Sequence, residues 1–276
     1  MQLPYNSRLT FPTGLSRQMA SHTLKQKLAG NHLTIGSWIT LAHPAIAEIM
    51  SRAGFDWLAV DLEHSVITIR EAEELIRVIA LHGVAPLVRL TSNNADLIKR
   101  VMDAGAHGVI VPMVNSRADA ERAVASVYYP PRGSRGVGLA RAQGYGTAFA
   151  DYRAWLDKEA VVIVQVEHIA AVEDLEAILD TPGVDGYIIG PYDLSASMGI
   201  PGQFDDPRLK QAIERIRTTG IAKVKPGGLH VVEPDAAQVR EHVARGFRFL
   251  AYSLDTRMLD TICRNGLAEC RQGMPE

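Results

Sequence analysis

The chain has 276 residues, of which 29 are basic and 31 acidic, a formal net charge of −2. A balanced charge gives no electrostatic basis for binding nucleic acid or an anionic membrane surface, and no apolar run approaches the ~18 residues that span a bilayer. Residues 1–20 are polar and contain Pro4 and Pro12, so they lack the apolar core of a secretion signal. The two cysteines, Cys263 and Cys270, provide no disulfide framework, and we expect a cytoplasmic protein.

Residues 1–19 are predicted to be an N-terminal tail or arm, and after them short apolar strands alternate with amphipathic helices. The strands are predicted at Leu33–Ile39, Trp57–Leu62, Pro86–Leu90, Gly108–Val111, Val161–Val166, Gly186–Ile189, Gly227–Val231 and Phe247–Tyr252. Asn94, Ser116 and Asp206 are predicted to cap helices. Residues 128–150 hold two prolines and five glycines and predict a long functional loop. Eight strand–helix units at this length predict one domain, residues 20–276, folded as a (β/α)8 TIM barrel.

Two of the apolar strands lead into a carboxylate. Glu167 directly follows Val161–Val166, and Asp193 closely follows Gly186–Ile189. The carboxyl ends of parallel strands share one rim of a barrel, where enzymes of this fold hold their ligands. Two carboxylates with open coordination positions suit an octahedral cation such as Mg²⁺. Each acid alone is also typical of a solvated loop or a helix cap, but the pair favours the cation site.

Three further polar residues fall at neighbouring strand ends. Asp61 and His64 lie at the end of the second strand, and Arg89 ends the third. The imidazole of His64 is suited to general base catalysis near neutral pH, although a merely hydrogen-bonded histidine is the alternative. The planar, permanently charged fork of Arg89 suits an oxo acid or an enolate oxygen. The alternative for Arg89 is a salt bridge to Asp61 or Glu63 that only holds the rim together.

Several other polar residues remain ambiguous from the sequence. Arg135 and Arg141 in the long loop are candidates for a substrate carboxylate or for solvated surface. Asp103 stands at the C-terminus of a predicted helix, where the helix dipole disfavours an acid, so it has either another partner or plain solvation. No lysine falls at the predicted rim, which leaves a Schiff-base mechanism without a nucleophile. No Gly-x-Gly-x-x-Gly follows a strand, which argues against a dinucleotide fold.

The content and order of these motifs resemble the HpcH/HpaI aldolases, a family of class II, metal-dependent enzymes. The resemblance covers residues 23–267 and depends on several long stretches in the same order. These stretches are Phe55–His64 (FDWLAVDLEH), Pro86–Arg89 (PLVR), Val111–Val114 (VPMV), Tyr129–Gly138 (YPPRGSRGVG), Val164–Glu167 (VQVE) and Gly190–Ser195 (GPYDLS).

The resemblance implies a divalent metal, Mg²⁺, Mn²⁺ or Co²⁺, bound by Glu167 and Asp193. It also implies that Arg89 holds the keto oxygen of the substrate and stabilises its enolate. Gln165, Tyr192 and Asp193 are the other expected substrate-binding residues. Backbone N–H groups around Tyr192 and Asp193 are expected to face the substrate carboxylate.

The resemblance further implies that His64, with Asp61 as its neighbouring acid, carries out proton transfer. Asp103 is expected to reach the active site of an adjacent subunit and to pair there with His64. The family usually assembles as a hexamer, a trimer of dimers that exchange the last helix, so we expect a homo-oligomer.

The implied reaction is the reversible cleavage of a 4-hydroxy-2-oxo acid to pyruvate, or a related 2-oxo acid, and an aldehyde. One alternative is another metal-enolate reaction, such as that of an acyl-CoA lyase or a decarboxylase. Another is a non-catalytic barrel that binds oxo acids. The chain departs from the family pattern at Leu62, Ser65–Val66, His168–Ile169 and Tyr192. Because these positions border the expected site, the departures bear on the substrate more than on the reaction.

Overall fold

The computed structural model describes residues 22–273, so the predicted tail at residues 1–19 lies outside the described residues. Eight parallel strands close into a barrel in sequence order, which confirms the predicted fold. The strands are β1 (Thr34–Ile39), β2 (Trp57–Asp61), β3 (Ala85–Arg89), β4 (Gly108–Val111), β5 (Val161–Val166), β6 (Gly186–Ile189), β7 (Gly227–Val231) and β8 (Phe249–Leu254).

Helices connect the strands and cover the outside of the barrel. They are α1 (Leu24–Ala29), α2 (Pro44–Arg52), α3 (Ile69–Leu81), α4 (Ala95–Asp103), α5 (Arg117–Val127), α6 (Phe149–Glu159), α7 (Ile169–Glu173), α8 (Leu175–Leu179), α9 (Pro191–Ser197), α10 (Pro207–Ala222), α11 (Ala236–Ala244) and α12 (Asp255–Arg271). The predicted caps are present: Asn94 accepts from the Asp96 N–H at 2.8 Å, Ser116 accepts from Asp119 at 3.2 Å, and Asp206 accepts from Arg208 at 2.8 Å. Each cap satisfies an N–H that the first helical turn leaves unpaired.

The predicted long loop is only partly irregular. A short 3₁₀ helix covers Arg141–Gly146, and α6 begins at Phe149. The sequence did not predict α6. The buried residues of this helix are Tyr152 and Leu156, which are too few to give a clear apolar stripe.

The inside of the barrel is an apolar column. Trp38, Trp57 and Phe249 fill it, and the Trp57 and Phe249 rings stack with centroids 4.3 Å apart. Gly36 on β1 makes room for the Trp57 ring, since a Cβ at Gly36 would lie 2.0 Å from it. A second and larger core lies between the outer face of the sheet and the helices. Strand alternation sends successive side chains to these two cores in turn.

The amino-terminal ends of the strands, called the floor below, are closed by α1. Its residues Leu24 and Leu28 belong to the apolar column of the barrel. Lys25 and Lys27 on the same helix form ion pairs of 2.6 Å with Asp185 and Asp56. The helix therefore closes the floor through apolar contacts, and its two lysines neutralise two acids there.

The last helix, α12, packs mainly on β8 and β1. Leu259, Ile262 and Leu267 on this helix are 53%, 69% and 51% exposed, and Cys263 and Cys270 are exposed free thiols. In residues 22–273, neither α12 nor any other helix combines the length and hydropathy needed to cross a membrane.

Candidate active site

Asp61 and Arg89 form a bidentate ion pair at the rim, the set of strand carboxyl ends. Arg89 donates from Nε to Asp61 Oδ1 at 2.9 Å and from Nη2 to Oδ2 at 2.6 Å. Asp61 is buried, and its Oδ1 also accepts the backbone N–H groups of Glu63 and His64 at 3.0 and 3.3 Å. The predicted salt bridge therefore exists, but it occupies only two of the guanidinium nitrogens. Within residues 22–273, Nη1 makes no hydrogen bond and remains open to solvent, so Arg89 keeps a donor for a ligand.

Glu63 and Gln165 join Arg89 to the other side of the rim. Glu63 Oε2 lies 3.4 Å from Arg89 Nε and accepts from Gln165 Nε2 at 3.4 Å. Gln165 Nε2 also donates to Glu167 Oε2 in a short hydrogen bond. Burial raises the pKa of Glu63 to about 7 against the lowering effect of Arg89, and the charges of Glu167 and Asp61 add to the rise. The predicted Gln165 thus bridges two carboxylates. The sequence predicted Glu63 only as an alternative salt-bridge partner of Arg89, and its hydrogen bond with Gln165 was not predicted.

Glu167 is fixed by the backbone of a neighbouring loop. Its Oε1 accepts the N–H of Met113 at 2.7 Å, and Met113 adopts a φ of +52°, a conformation that a residue with a side chain rarely takes. Gly190, at the end of β6, allows the close approach, because a Cβ there would lie 2.8 Å from Glu167 Oε2. Burial raises the pKa of Glu167, and the charge of nearby Asp193 adds to the rise.

Asp193 lies in the first turn of α9 and is exposed beside Glu167. Its neighbour Tyr192 is 64% exposed and packs edge-on against Phe204, with ring centroids 4.6 Å apart. A side chain so placed can border a ligand at the rim. The expected contact between backbone N–H groups of α9 and a substrate carboxylate stays a prediction.

The chemistry of this donor set fits a hard divalent cation. Glu167 and Asp193 offer carboxylate oxygens only, which is the ligand type that Mg²⁺ prefers. Within residues 22–273, no group of three or more His, Cys, Asp or Glu side chains forms a complete metal cage. Mg²⁺ commonly uses one or two protein carboxylates and completes its shell with water and substrate oxygens. A pair of carboxylates therefore matches a cation that shares its coordination with the substrate.

His64 stands at the mouth of the rim. Its side chain is 64% exposed, and Nε2 lies 3.8 Å from Glu63 Oε2. The ring makes no closer polar contact within residues 22–273, so Asp61 holds only the backbone of His64 and not its imidazole. The prediction that His64 lies at the rim is confirmed, and Glu63 is the acid nearest to its ring.

Asp103, Arg135 and Arg141 are not brought to the rim of the same chain. Asp103 ends α4 at the floor side, where its Oδ1 is buried without a hydrogen-bond partner in residues 22–273 and lies 3.9 Å from Arg135 Nη1. The Arg135 side chain is fully buried and donates to the Tyr152 hydroxyl at 2.9 Å. Arg141 donates to the Ala104 carbonyl at 2.8 Å. Neither arginine is available to a substrate carboxylate in its own subunit, because each is committed to the region of α4 and α6.

Two inward-facing aromatic residues of the rim were also missed. The guanidinium carbon of Arg89 lies 4.3 Å from the centre of the Trp38 ring, and the His230 ring lies 5.8 Å from the same ring. Strand alternation, which sends every second residue into the barrel, is the sequence signal that would have identified both.

A closed (β/α)8 barrel whose rim joins a pair of carboxylates to an anchored arginine defines an enzyme-like site for a small anionic ligand and a hard cation. The model of the HpcH/HpaI aldolase/citrate lyase family matches residues 34–260, and the chain belongs to that family.

Its relatives cover nearly the whole chain. It is 36% identical over 255 residues to a hydroxypyruvate/pyruvate aldolase of Cupriavidus necator, covering 92% of this chain and 94% of that protein. It is 36% identical over 242 residues to a 5-keto-4-deoxy-D-glucarate aldolase of Shigella dysenteriae, covering 87% and 93%. The crystal structure of a family member from Burkholderia cenocepacia superposes with a TM-score of 0.85 at 34% identity, covering 90% and 98%.

Proposed function

We propose that the protein is a divalent-metal-dependent aldolase, a carbon–carbon lyase that reversibly cleaves a 4-hydroxy-2-oxo acid to pyruvate, or a related 2-oxo acid, and an aldehyde. The observation that carries the proposal is the shared rim, where Glu167 and Asp193 lie on one side and the free donor of Arg89 on the other. Membership in an aldolase family supports the same reaction.

Arg89 is suited to hold the keto oxygen of the substrate. Asp61 binds Nε and Nη2 of the Arg89 guanidinium, and Trp38 packs against its face. These contacts hold the side chain in place and leave Nη1 as a charged donor. A preorganised donor favours the negative charge that grows on this oxygen when the C3–C4 bond breaks. When bound by Glu167 and Asp193, a divalent cation supplies Lewis-acid stabilisation of the same charge.

The proton of the 4-hydroxyl group requires a base at the mouth of the site. His64 is an exposed rim residue with a ring nitrogen that can take up a proton, and Glu63 lies 3.8 Å from its Nε2. Loss of the hydroxyl proton to His64 lets the C3–C4 electrons pass to the 2-oxo acid as its enolate, and the aldehyde leaves. Return of the proton from the imidazole to C3 of the enolate then gives pyruvate and the neutral base. In the reverse direction, the protonated imidazole returns the proton to the new hydroxyl.

We also propose that the active form is a homo-oligomer, a hexamer in the family's usual arrangement, that covers the apolar face of α12. Leu259, Ile262 and Leu267 expose more than half of their side-chain area to solvent in the single chain. Ile262→Lys is expected to lower the molecular mass of the assembly in sedimentation experiments.

Asp103→Asn and His64→Ala would each be inactive, and mixing them would restore activity if Asp103 completes a partner's site. Hybrids that form but show no activity would contradict that role of Asp103.

The reaction is tested by incubating the purified protein with Mg²⁺ or Mn²⁺ and a panel of 4-hydroxy-2-oxo acids, with pyruvate release as the readout. We expect release that depends on the chain length and substituents of the aldehyde part. Cleavage of acyl-CoA substrates without pyruvate release from any panel member would contradict the proposal. An inactive Glu167→Gln variant is the control for contaminating lyases.

A further inference from the structure

The guanidinium of Arg135 is a buried charge with an incomplete set of hydrogen bonds. Its side chain is fully buried, and Nη2 donates to the Tyr152 hydroxyl at 2.9 Å. Nε and Nη1 are sealed from solvent, and within residues 22–273 neither atom makes a hydrogen bond. Burying a charge with unpaired donors costs stability. The placement of Arg135 therefore indicates a role other than stabilising its own loop.

Aromatic rings hold this cation beside the end of α4. The guanidinium carbon lies 4.4 Å from the centre of the Tyr129 ring and 5.5 Å from that of Tyr152, within the range of cation–π attraction. The Tyr152 hydroxyl, which accepts from Arg135, donates to the carbonyl oxygen of Met102 at 3.3 Å. Met102 precedes Asp103 in the last turn of α4. Arg135 is thus fixed relative to the residue that ends the helix.

The two carboxylate oxygens of Asp103 have different surroundings. Oδ1 is sealed from solvent and lies 3.9 Å from Nη1 of Arg135, with which it forms an ion pair. The side chain as a whole is 23% exposed, and the exposed part includes Oδ2, which accepts no hydrogen bond in the described part of the chain. One oxygen is therefore held from inside the subunit by a cation, and the other is presented at the surface.

The charges around Asp103 decide whether the outer oxygen can accept a hydrogen bond. Burial raises the pKa of Asp103, and the charge of Arg135, followed by that of Lys99 on α4, acts against the rise. Tyr152 is the titratable group that faces the carboxyl from α6. A protonated carboxyl would present an O–H donor in place of a free acceptor. Loss of Arg135 is therefore expected to move Asp103 toward its neutral form.

We propose that Arg135 is a positioning residue, which holds the inner oxygen of Asp103 so that the outer oxygen, Oδ2, pairs with the partner subunit's His64. The inference rests on the cross-subunit role of Asp103 under the proposed function, and it deepens that role by naming the group on which it depends. Arg135 contacts neither substrate nor cation, because its side chain is sealed within its own subunit. Its loss is consequently expected to damage the site of the neighbouring subunit and not the site of its own chain.

The first test is kinetic and uses pyruvate release from a 4-hydroxy-2-oxo acid in the presence of Mg²⁺. Arg135→Met, which removes the charge, is expected to lower kcat about 10–100-fold, as for other groups that orient a functional residue from behind. KM should change little, and the acidic limb of the pH profile should move to higher pH. Arg135→Lys, which keeps the charge, should restore part of kcat and of the profile. Arg132→Met is the matched control, since Arg132 is an exposed arginine of the same loop that packs on Tyr128.

The second test locates the action of Arg135 by mixing variants. Two differently tagged chains are co-expressed, and native mass spectrometry confirms the hybrids. Arg135→Met with His64→Ala should gain activity, because the second chain provides an intact Arg135 and Asp103 for the intact His64 of the first. Arg135→Met with Asp103→Asn should show no gain over Arg135→Met alone, since both changes damage the same side of the interface. Arg135→Gln replaces Arg135→Met in both mixtures if the methionine variant does not assemble.

Three results would overturn the inference while leaving the aldolase reaction intact. One is no gain from Arg135→Met with His64→Ala when Asp103→Asn with His64→Ala does gain, which would place the action of Arg135 in its own chain. Another is a gain from Arg135→Met with Asp103→Asn. The third is an equal loss of kcat at every pH without rescue by Arg135→Lys, which would make Arg135 a purely structural residue. Absence of pyruvate release from the wild-type protein would instead overturn the proposed function and this inference with it.

Discussion

Acidic residues lie at both ends of the barrel, but they are neutralised differently at each end. At the floor, Asp185 pairs with Lys25 and Asp56 pairs with Lys27, each at 2.6 Å. The second oxygen of each acid accepts a backbone N–H, from Val162 at 2.9 Å and from Ile35 at 2.7 Å. Each of these two acids therefore has its own cation and a fixed hydrogen bond.

At the rim, three acids depend on one arginine. Asp61 takes two of the guanidinium nitrogens of Arg89, Glu63 lies 3.4 Å from one of them, and Glu167 has no closer cation within residues 22–273. Burial consequently raises the pKa values of Glu63 and Glu167. An excess of buried negative charge costs stability. At the rim this charge includes Glu167 beside Asp193, which indicates that the rim is arranged for a cationic ligand, whereas the two lysine pairs stabilise the floor.

The largest effect is expected from Glu167→Gln. The amide keeps the shape of the side chain but removes the charge that a divalent cation requires, so turnover should fall by about 10³-fold or more. Because one uncompensated buried charge disappears, the melting temperature of the metal-free protein should stay level or rise. Pyruvate release and thermal denaturation measure the two quantities, and near-native turnover would show that Glu167 belongs to the stabilising acids.

Arg89→Lys should be the next most damaging change. Lysine keeps the positive charge but loses the planar fork that binds Asp61 in two places and leaves Nη1 for the substrate. Loss of one oxyanion donor costs ~2.7–4 kcal/mol, or about 10²–10³ in rate. Steady-state kinetics with a 4-hydroxy-2-oxo acid would measure it. If kcat/KM stays within a few-fold of the wild-type value, Arg89 only holds the rim together.

At the floor, the expected effect is on stability instead of turnover. Lys25→Met leaves Asp185 buried without its cation, and the loss of one partner of such a pair typically costs about 3–5 kcal/mol. The denaturant midpoint should fall while kcat stays unchanged. Lys210→Met is the matched control, because its partner Asp205 is fully exposed and surface ion pairs of this kind contribute little to stability. An equal loss of stability in both variants would remove the distinction between buried and surface pairs.

The smallest expected effect concerns pH. His107, just before β4 at the floor side, packs against Trp155, and burial lowers its pKa to about 4 from 6.5, with a further contribution from Arg141. Since the unfolded state binds more protons between these values, the contribution to stability is complete above pH 6.5 and lost as the pH falls through 4. His107→Gln should flatten the dependence of melting temperature on pH in this window, whereas His22→Gln should not. If the curves of melting temperature against pH are parallel for the wild-type protein, His107→Gln and His22→Gln, then His107 is not the source of this pH dependence.

The sequence predicted the barrel well because its signals are local. The bounds of β4, β5, β6 and β7 agree with the predicted ones, since each strand is short and has a glycine, proline or polar residue at one end or both. The helix caps follow from single residues such as Asn94. The weak apolar stripe of α6 gave no comparable signal.

The site was predicted only where strand ends define it. Glu167, Asp193, Arg89, Asp61 and His64 are brought to one rim, as expected, because parallel strands share their carboxyl end. The contacts between them depend on how strands distant in sequence are staggered around the barrel. No local pattern shows that the Met113 N–H binds Glu167 or that Gln165 bridges two acids. Catalytic and metal-binding roles for these residues stay predictions.

The most direct test of the rim is a metal titration of the wild-type protein. The protein is stripped with EDTA, freed of chelator, and assayed for pyruvate release as Mg²⁺ is added back, with Glu167→Gln assayed alongside. The contrast between rim and floor predicts no release without metal, recovery that saturates as the site of Glu167 and Asp193 fills, and no recovery in Glu167→Gln. Full pyruvate release from the rigorously metal-free protein would contradict it.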